Sequence, residues 1–193
     1  MNALDFGLPQ KRERTFIVGF KENHRFVFPS QPVNRPNLKL EDILEPDDKV
    51  DQKYFASDYI TKKREEAVKN KTVFYPSIWH ENKGGNIGIN RFSCALRAGA
   101  SFNYLLVNGV RRLTPREQLR LQGFPETFQI SGSETEIRKQ TGNSVPVPVV
   151  EAIAHQMVQT MNRKTADITY RPTSARYQQL QLLEGKATYD TGS

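Results

Sequence analysis

The sequence of 193 residues holds 28 Lys and Arg against 21 Asp and Glu, and its formal net charge of +7 favours polyanionic partners, nucleic acid first. Hydrophobic residues at 37% and charged residues at 25% are typical of a folded protein and exclude a chain that is disordered throughout. The single cysteine, Cys94, excludes an internal disulfide, and the lack of an apolar run of about 20 residues excludes a membrane helix, so we expect a cytoplasmic protein.

The first predicted element is a strand at residues 15–20, a run of β-branched and aromatic residues that follows Gly7 and Pro9. A lone strand needs neighbours, so we expect another polypeptide to complete its sheet. Between residues 21 and 71, prolines and clustered acids predict loops with short helices. Ser57 is the expected N-cap of a helix running toward Asn70. Its exposed face would carry Lys62, Lys63, Arg64, Lys69 and Lys71, either as a solvated face or as a face for DNA phosphates.

Residues 73–109 are dense in glycine, asparagine and aromatic residues, a composition that suits short strands joined by tight loops. We predict strands at residues 92–96 and 104–107.

Two helices are predicted after this stretch. Thr114, Pro115 and Glu117 form a capping box with proline at the first helical position, so a helix begins there, and Gly123 and Pro125 end it. A second helix begins near residues 146–148 and ends near Met161. Its predicted apolar stripe consists of Val149, Val150, Ile153, Met157 and Val158.

Three segments resemble motifs of the DNA (cytosine-5) methyltransferases, and they occur in that family's order. Gln10, Arg12 and Arg14 reproduce the Gln-x-Arg-x-Arg core of motif VIII; residues 111–128 resemble motif IX, and residues 139–153 resemble motif X. The resemblance implies an α/β (α+β) fold. In it, a small target-recognition lobe joins a strand and helices that complete the Rossmann-like catalytic lobe of a class I methyltransferase.

The resemblance also predicts how the chain is divided. Residues 1–20 would be the motif VIII strand of the catalytic lobe, residues 21–110 the target recognition domain, and residues 111–161 the return to the catalytic lobe. Residues 162–193 would be a polar C-terminal extension, either a partner-binding segment or simply mobile.

Candidate DNA-reading residues lie in the recognition stretch, because sequence reading needs polar and planar side chains on tight loops. They are Lys83, Asn86, Arg97, Ser101 and Asn103. Arg97 is the strongest candidate, since arginine can donate two hydrogen bonds to a guanine edge. The alternative for each is a surface or loop-stabilising side chain.

The resemblance implies catalytic roles for Gln10, Arg12 and Arg14, with Arg14 near the O2 atom of an extruded cytosine and Arg12 near the DNA backbone. A cation at O2 would act electrostatically, because covalent attack at C6 pushes electron density onto the ring carbonyl. In motif X, Asn143 and Ser144 would hydrogen-bond the carboxylate end of S-adenosylmethionine. Val145 would pack nearby, and Gly142 would allow a close approach.

The family's cofactor loop, its Pro-Cys nucleophile motif and its Glu-Asn-Val motif all precede motif VIII, and none occurs in this sequence. Cytosine C5 is inert until a thiolate adds to C6 while a carboxylic acid interacts with N3. Cys94 lies within the recognition stretch and is predicted to be a buried structural thiol. No metal site is expected.

The resemblance therefore implies the smaller subunit of a split DNA (cytosine-5) methyltransferase, inactive alone, whose large catalytic subunit supplies the earlier motifs. The pair would bind double-stranded DNA, flip a cytosine from the stack and methylate it from S-adenosylmethionine, as in restriction-modification systems. Two alternatives stay open: a truncated piece of a single-chain enzyme, and a non-catalytic DNA-binding or regulatory module.

Overall fold

The computed structural model describes residues 1–30, 32 and 36–163. Its α-helices are α1 (Leu40–Ile43), α2 (Asp58–Ala67), α3 (Pro115–Leu121), α4 (Glu134–Asn143) and α5 (Val147–Asn162). Its strands are β1 (Gln10–Lys11), β2 (Ile78–Glu81), β3 (Ile87–Asn90), β4 (Ser93–Cys94) and β5 (Leu105–Val107). Short 3-10 helices span Ala3–Phe6, Asp47–Lys49 and Gln52–Tyr54. The described chain is therefore mixed α/β, as predicted.

The strands form two small sheets. Strands β3, β2 and β5 form an antiparallel sheet with β2 in the centre, where Ile78 pairs with Asn90 on one side and with Val107 on the other. Strand β1 pairs in parallel with β4, so Gln10 lies beside Ser93. The predicted strands at residues 92–96 and 104–107 exist in shorter form, whereas β2 and β3 were not predicted.

Helix α3 begins as its sequence predicts. The Thr114 hydroxyl accepts from the Glu117 N–H at 3.2 Å, and the Glu117 carboxylate accepts from the Thr114 N–H at 2.8 Å. This reciprocal pair satisfies two N–H groups that would otherwise lack partners at the start of the helix. The helix ends at Leu121, just before Gly123, whose φ of 78° lies in the left-handed region.

The predicted second helix is confirmed as α5, but its apolar stripe is only half right. Val149 and Ile153 are buried, while Val150 is 39% exposed and Val158 is 55% exposed. Helix α4 was not predicted, although Ser133 caps it through a hydrogen bond from the Glu136 N–H. Among the helices described, none is long and apolar enough to cross a membrane.

The N-terminal segment differs from its prediction. The strand expected at residues 15–20 is wrong, because none of these residues is in a strand and Ile17 is 95% exposed. An apolar run becomes a strand only when a neighbour pairs with it, and the described residues place none beside this segment. Phe16 and Val18 instead pack against the apolar cluster under α5.

The largest apolar cluster joins the recognition stretch to α3. It contains Leu40, Ile43, Ile78, Leu96, Tyr104, Leu105, Val107, Leu113 and Leu121. A second cluster, of Phe6, Val149, Ala152 and Ile153, lies under α5. The predicted boundary at residue 110 therefore passes through a shared core, and the division into parts stays a prediction. Of the predicted extension at residues 162–193, all but the first two residues lie outside the described part of the chain.

Candidate functional site

The Arg12 side chain is only 2% exposed, and its guanidinium donates to three main-chain carbonyls. Nη1 lies 2.9 Å from the Leu96 oxygen, and Nη2 lies 2.9 Å from the Gly142 oxygen and 2.5 Å from the Ser144 oxygen. Burial, and then the positive charge of Arg14, lower the pKa of Arg12 to about 10, so the group stays charged at neutral pH. This geometry does not fit the expected contact between Arg12 and the DNA backbone, because a guanidinium enclosed by carbonyls is closed to phosphate.

Gln10 and Arg14 lie in opposite environments. Gln10 is fully buried, and its Nε2 donates to the Leu121 carbonyl at 3.2 Å, which ties β1 to the end of α3. Arg14 is exposed, and its Nη1 donates to the Glu13 carbonyl at 2.6 Å. Of the three motif VIII side chains, Arg14 is therefore the one that is open to a ligand.

The loop between β2 and β3 carries two of the predicted DNA-reading residues. Lys83 and Asn86 are both exposed there. The Asn82 Oδ1 atom accepts from the N–H groups of Gly84 at 2.9 Å and of Asn86 at 3.0 Å, and these bonds fix the turn. The Asn82 side chain thus orders the loop, while the side chains of Lys83 and Asn86 are exposed.

Residues 96–103, which we call the reading loop, carry the other three predicted DNA-reading residues. Arg97 is exposed; its guanidinium lies 5.0 Å from the centre of the Tyr104 ring, and its N–H donates to the Tyr104 hydroxyl at 3.0 Å. Ser101 is exposed, whereas Asn103 is half-buried. The structure therefore leaves Arg97 and Ser101 free to contact a ligand and Asn103 less so.

The two loops leave the same end of the antiparallel sheet. Strand β2 ends at Glu81, whose N–H donates to the Tyr104 carbonyl at 2.9 Å, immediately before β5. Because β2 and β5 are antiparallel, the loop that follows β2 and the loop that precedes β5 project from the same end of the sheet. All five predicted DNA-reading residues thus lie on the two loops at this end of the sheet.

Arg64 does not belong to the predicted basic face of α2. Its side chain is 3% exposed and pairs with Glu81 at 2.9 Å, and it also donates to the Asn103 carbonyl. Burial lowers the pKa of Arg64, and the Glu81 charge opposes that effect. The buried Arg64 side chain therefore holds the end of the reading loop beside β2. Its place in a run of charged residues did not indicate this role.

Arg138 is a second residue that sequence reasoning missed. It lies on α4, donates to the Ser101 carbonyl at 2.8 Å and to the Ala100 carbonyl, and packs 4.3 Å from the centre of the Phe102 ring. The capping pattern of Ser133 and Glu136 could have revealed the helix that carries Arg138, but not its contacts.

The predicted cofactor residues lie at the end of α4 and in the turn that follows it, a segment that we call the cofactor turn (residues 142–145). Asn143 is exposed, Val145 is 43% exposed, and Ser144 is half-buried with its Oγ donating to the Thr141 carbonyl at 2.9 Å. An open amide beside an open apolar side chain fits one edge of a cofactor that has polar and apolar groups.

The close approach predicted at Gly142 is made to the polypeptide itself. A Cβ atom at Gly142 would lie 2.4 Å from the Ala98 nitrogen and 2.8 Å from the Arg97 carbonyl carbon. The cofactor turn therefore rests directly on the backbone of the reading loop.

Cys94, which was predicted to be a buried structural thiol, is half-buried in β4. Burial raises its pKa, although Lys11 and Arg97 act in the opposite direction. A thiol with a raised pKa is a poor nucleophile at neutral pH. In the described part of the chain, no cluster of three or more His, Cys, Asp or Glu side chains is arranged to hold a metal ion.

A profile of the C-5 cytosine-specific DNA methylase family matches residues 1–159. The Type II methyltransferase M.HaeII of Haemophilus aegyptius is 51% identical over 182 residues, which are 94% of this chain and 54% of that protein. The Type II methyltransferase M.NgoBI of Neisseria gonorrhoeae is 58% identical over 154 residues, 79% of this chain and 47% of that protein. The chain thus spans about half the length of these curated relatives.

A solved structure supports the fold. The methyltransferase EhMeth of Entamoeba histolytica superimposes with a TM-score of 0.53 at 14% identity, over 84% of this chain and 53% of that one. At this identity the likeness shows the fold alone: this chain shares the mixed α/β architecture of about half of that protein.

Proposed function

Because the chain belongs to the C-5 cytosine-specific DNA methylase family, we propose that it is the DNA-recognition and site-completing part of a Type II cytosine-5 DNA methyltransferase of a restriction-modification system. The observation that carries the proposal is that two exposed polar loops project from one end of the same sheet. Such loops can enter the major groove of double-stranded DNA, where each base pair presents a distinct pattern of donors and acceptors. Arg97 would bind a guanine edge there, with Lys83, Asn86 and Ser101 at neighbouring bases or phosphates.

Arg14 is proposed to act on the target base after it leaves the stack. Addition of a thiolate to cytosine C6 moves electron density onto the ring and its O2 atom, where a fixed cation stabilises the developing charge. The exposed guanidinium of Arg14 can reach a ligand, while buried Arg12 and Gln10 hold the segment that carries it. Arg14 is thus the catalytic residue of motif VIII, and the other two are positioning residues.

The thiol nucleophile is proposed to come from outside these residues. Cys94 is half-buried in a strand, and burial raises its pKa, which suits a structural thiol. We assign the nucleophile, the carboxylic acid that interacts with N3 and the cofactor loop to a large catalytic subunit. S-adenosylmethionine would supply the methyl group. Asn143, Ser144 and Val145 would hold one edge of it.

Helix α5 supports the presence of such a subunit. Its buried face covers the second apolar cluster, but Val150, Ala154, Val158 and Met161 recur every three or four residues on a different face and are exposed. A helix that is apolar on two faces normally packs on both. The catalytic subunit would cover the second face, together with exposed Ile17.

The experiment mixes the full chain with the part of M.HaeII that does not align with this chain, and adds duplex DNA and S-adenosylmethionine. Bisulfite sequencing reads methylated cytosines at single-base resolution. We expect site-specific methylation from the mixture and none from either polypeptide alone. Methylation by the chain alone would refute the assignment of the nucleophile, and specific DNA binding without methylation in the mixture would favour a non-catalytic DNA-binding module.

A further inference from the structure

The reading loop and the cofactor turn are joined through one side chain. We propose that Arg12 is a positioning residue that holds both segments in one arrangement, so that cofactor affinity and DNA-sequence discrimination depend on the same guanidinium. This inference rests on the proposed function, which supplies the roles of the two segments.

The hydrogen bonds of Arg12 carry the first step. One nitrogen donates to Leu96, where the reading loop begins, and the other donates to Gly142 and Ser144 in the cofactor turn. The guanidinium is planar and its donors point in fixed directions, so the positions of the acceptors are fixed relative to each other. A lysine ammonium has no such fork and cannot hold both segments in the same way.

Backbone packing carries the second step. Gly142 lies so close to the peptide between Arg97 and Ala98 that a Cβ atom would be 2.4 Å from the Ala98 nitrogen. Arg138, one helical turn before Gly142, donates to the carbonyls of Ala100 and Ser101. The C-terminal end of α4 therefore contacts the reading loop at several points. A shift of the cofactor turn must then shift the loop.

The burial of Arg12 carries the third step. Its charged group is 2% exposed, and among the described residues its guanidinium bonds to carbonyls and to no carboxylate. Loss of the guanidinium would leave three carbonyls without that donor, and each segment could then relax separately. By linkage, any coupling between the two segments acts equally in both directions, from cofactor to DNA and from DNA to cofactor.

The test uses the reconstituted enzyme with Arg12→Lys and, as a matched control, Arg25→Lys at an exposed arginine. The measurements are the Kd of S-adenosylhomocysteine, the ratio of kcat/KM between the cognate duplex and a duplex with one altered base pair, and the salt dependence of DNA binding. We expect Arg12→Lys to weaken S-adenosylhomocysteine binding and to reduce discrimination, each by about tenfold, the effect of losing one hydrogen bond of ordinary strength. The salt slope should not change, and Arg25→Lys should leave binding of S-adenosylhomocysteine and discrimination at wild-type values.

The opposite pattern would overturn the inference. Because Arg12→Lys keeps the positive charge, the salt dependence is also measured with Arg12→Gln, which removes it. A salt slope reduced by about 1 in Arg12→Gln, with unchanged S-adenosylhomocysteine affinity, would mean that Arg12 contacts a phosphate. Should Arg12→Lys fail to fold, hydrogen exchange of the wild-type enzyme decides: S-adenosylhomocysteine should slow exchange in the reading loop, including the Arg97 amide, and unchanged exchange rejects the coupling. A wild-type mixture that methylates no cytosine refutes the proposed function instead.

Discussion

Two buried arginines hold this molecule together in different ways. Arg111, just before α3, contacts Glu117 through both carboxylate oxygens at 2.9 and 3.0 Å and contacts Asp47 at 2.5 Å. Among the described residues, the Arg12 guanidinium donates only to main-chain carbonyls. Burial lowers the pKa of both groups, but hydrogen bonds and charge from Glu117 and Asp47 outweigh it for Arg111, whose pKa is raised. The ion pairs of Arg111 hold the start of α3 in place, whereas the bonds of Arg12 to carbonyls join the reading loop to the cofactor turn.

The largest expected effect tests the scaffold. Glu117→Gln removes the charge that balances buried Arg111, so the free energy of unfolding should fall by about 3–5 kcal/mol. Urea denaturation of the full chain measures it. The control is Glu126→Gln, which breaks an exposed pair with Arg120 and should cost at most about 1 kcal/mol. Equal losses in the two variants would contradict the distinction.

The next effect separates Arg14 from its buried neighbour. Arg14→Ala should lower kcat of the reconstituted enzyme by about 10²–10³-fold, since it removes the charge that is proposed to act on the base. Specific DNA binding, measured by fluorescence anisotropy, should stay close to wild type. Full activity in this variant would reject its place beside the base.

A smaller effect tests the contact between the cofactor turn and the reading loop through packing alone. Gly142→Ala forces a methyl group against the Ala98 backbone and should destabilise the chain by about 1–3 kcal/mol. The control is Gly99→Ala in the reading loop, where an added Cβ meets nothing within 4 Å. Thermal unfolding compares them, and a Gly142→Ala variant as stable as Gly99→Ala would show that the contact is not tight.

The smallest effect concerns α4, the helix whose C-terminal end contacts the reading loop. Ser133→Ala removes the side-chain cap of α4 and should cost about 1 kcal/mol. Ser57→Ala is the control, because Ser57 occupies the N-cap of α2 without a capping hydrogen bond. Equal unfolding midpoints for the two variants would mean that the cap of α4 contributes nothing.

Local patterns predicted the elements whose causes are local. The box of Thr114 and Glu117 marked α3, and the apolar spacing after Pro146 marked α5. Helix α4 has the same kind of cap but a single buried apolar side chain, Ile137, so periodicity did not reveal it. A strand at residues 15–20 was expected from composition, but pairing depends on a neighbour that composition cannot supply.

Site residues followed the same rule. The positions of Arg97 and Arg14 as exposed side chains agree with the roles expected of them, although DNA contact itself stays a prediction. The environment of Arg12 could not be predicted, because its acceptors lie far along the chain and are main-chain atoms with no sequence signature. Arg64 was misplaced for a similar reason, since its partner Glu81 belongs to a distant strand.

The anchor at Leu96 has an evolutionary consequence. Arg12 binds a carbonyl there, and Gly142 rests on peptide atoms of the next two residues. The contacted atoms belong to the backbone, so an exposed side chain of the loop such as Arg97 can be exchanged without loss of the attachment, whereas the buried side chain of Leu96 belongs to the core. If the loop reads DNA as proposed, exposed side chains in it can change the recognised sequence while Arg12 and Gly142 keep the same backbone contacts beneath it.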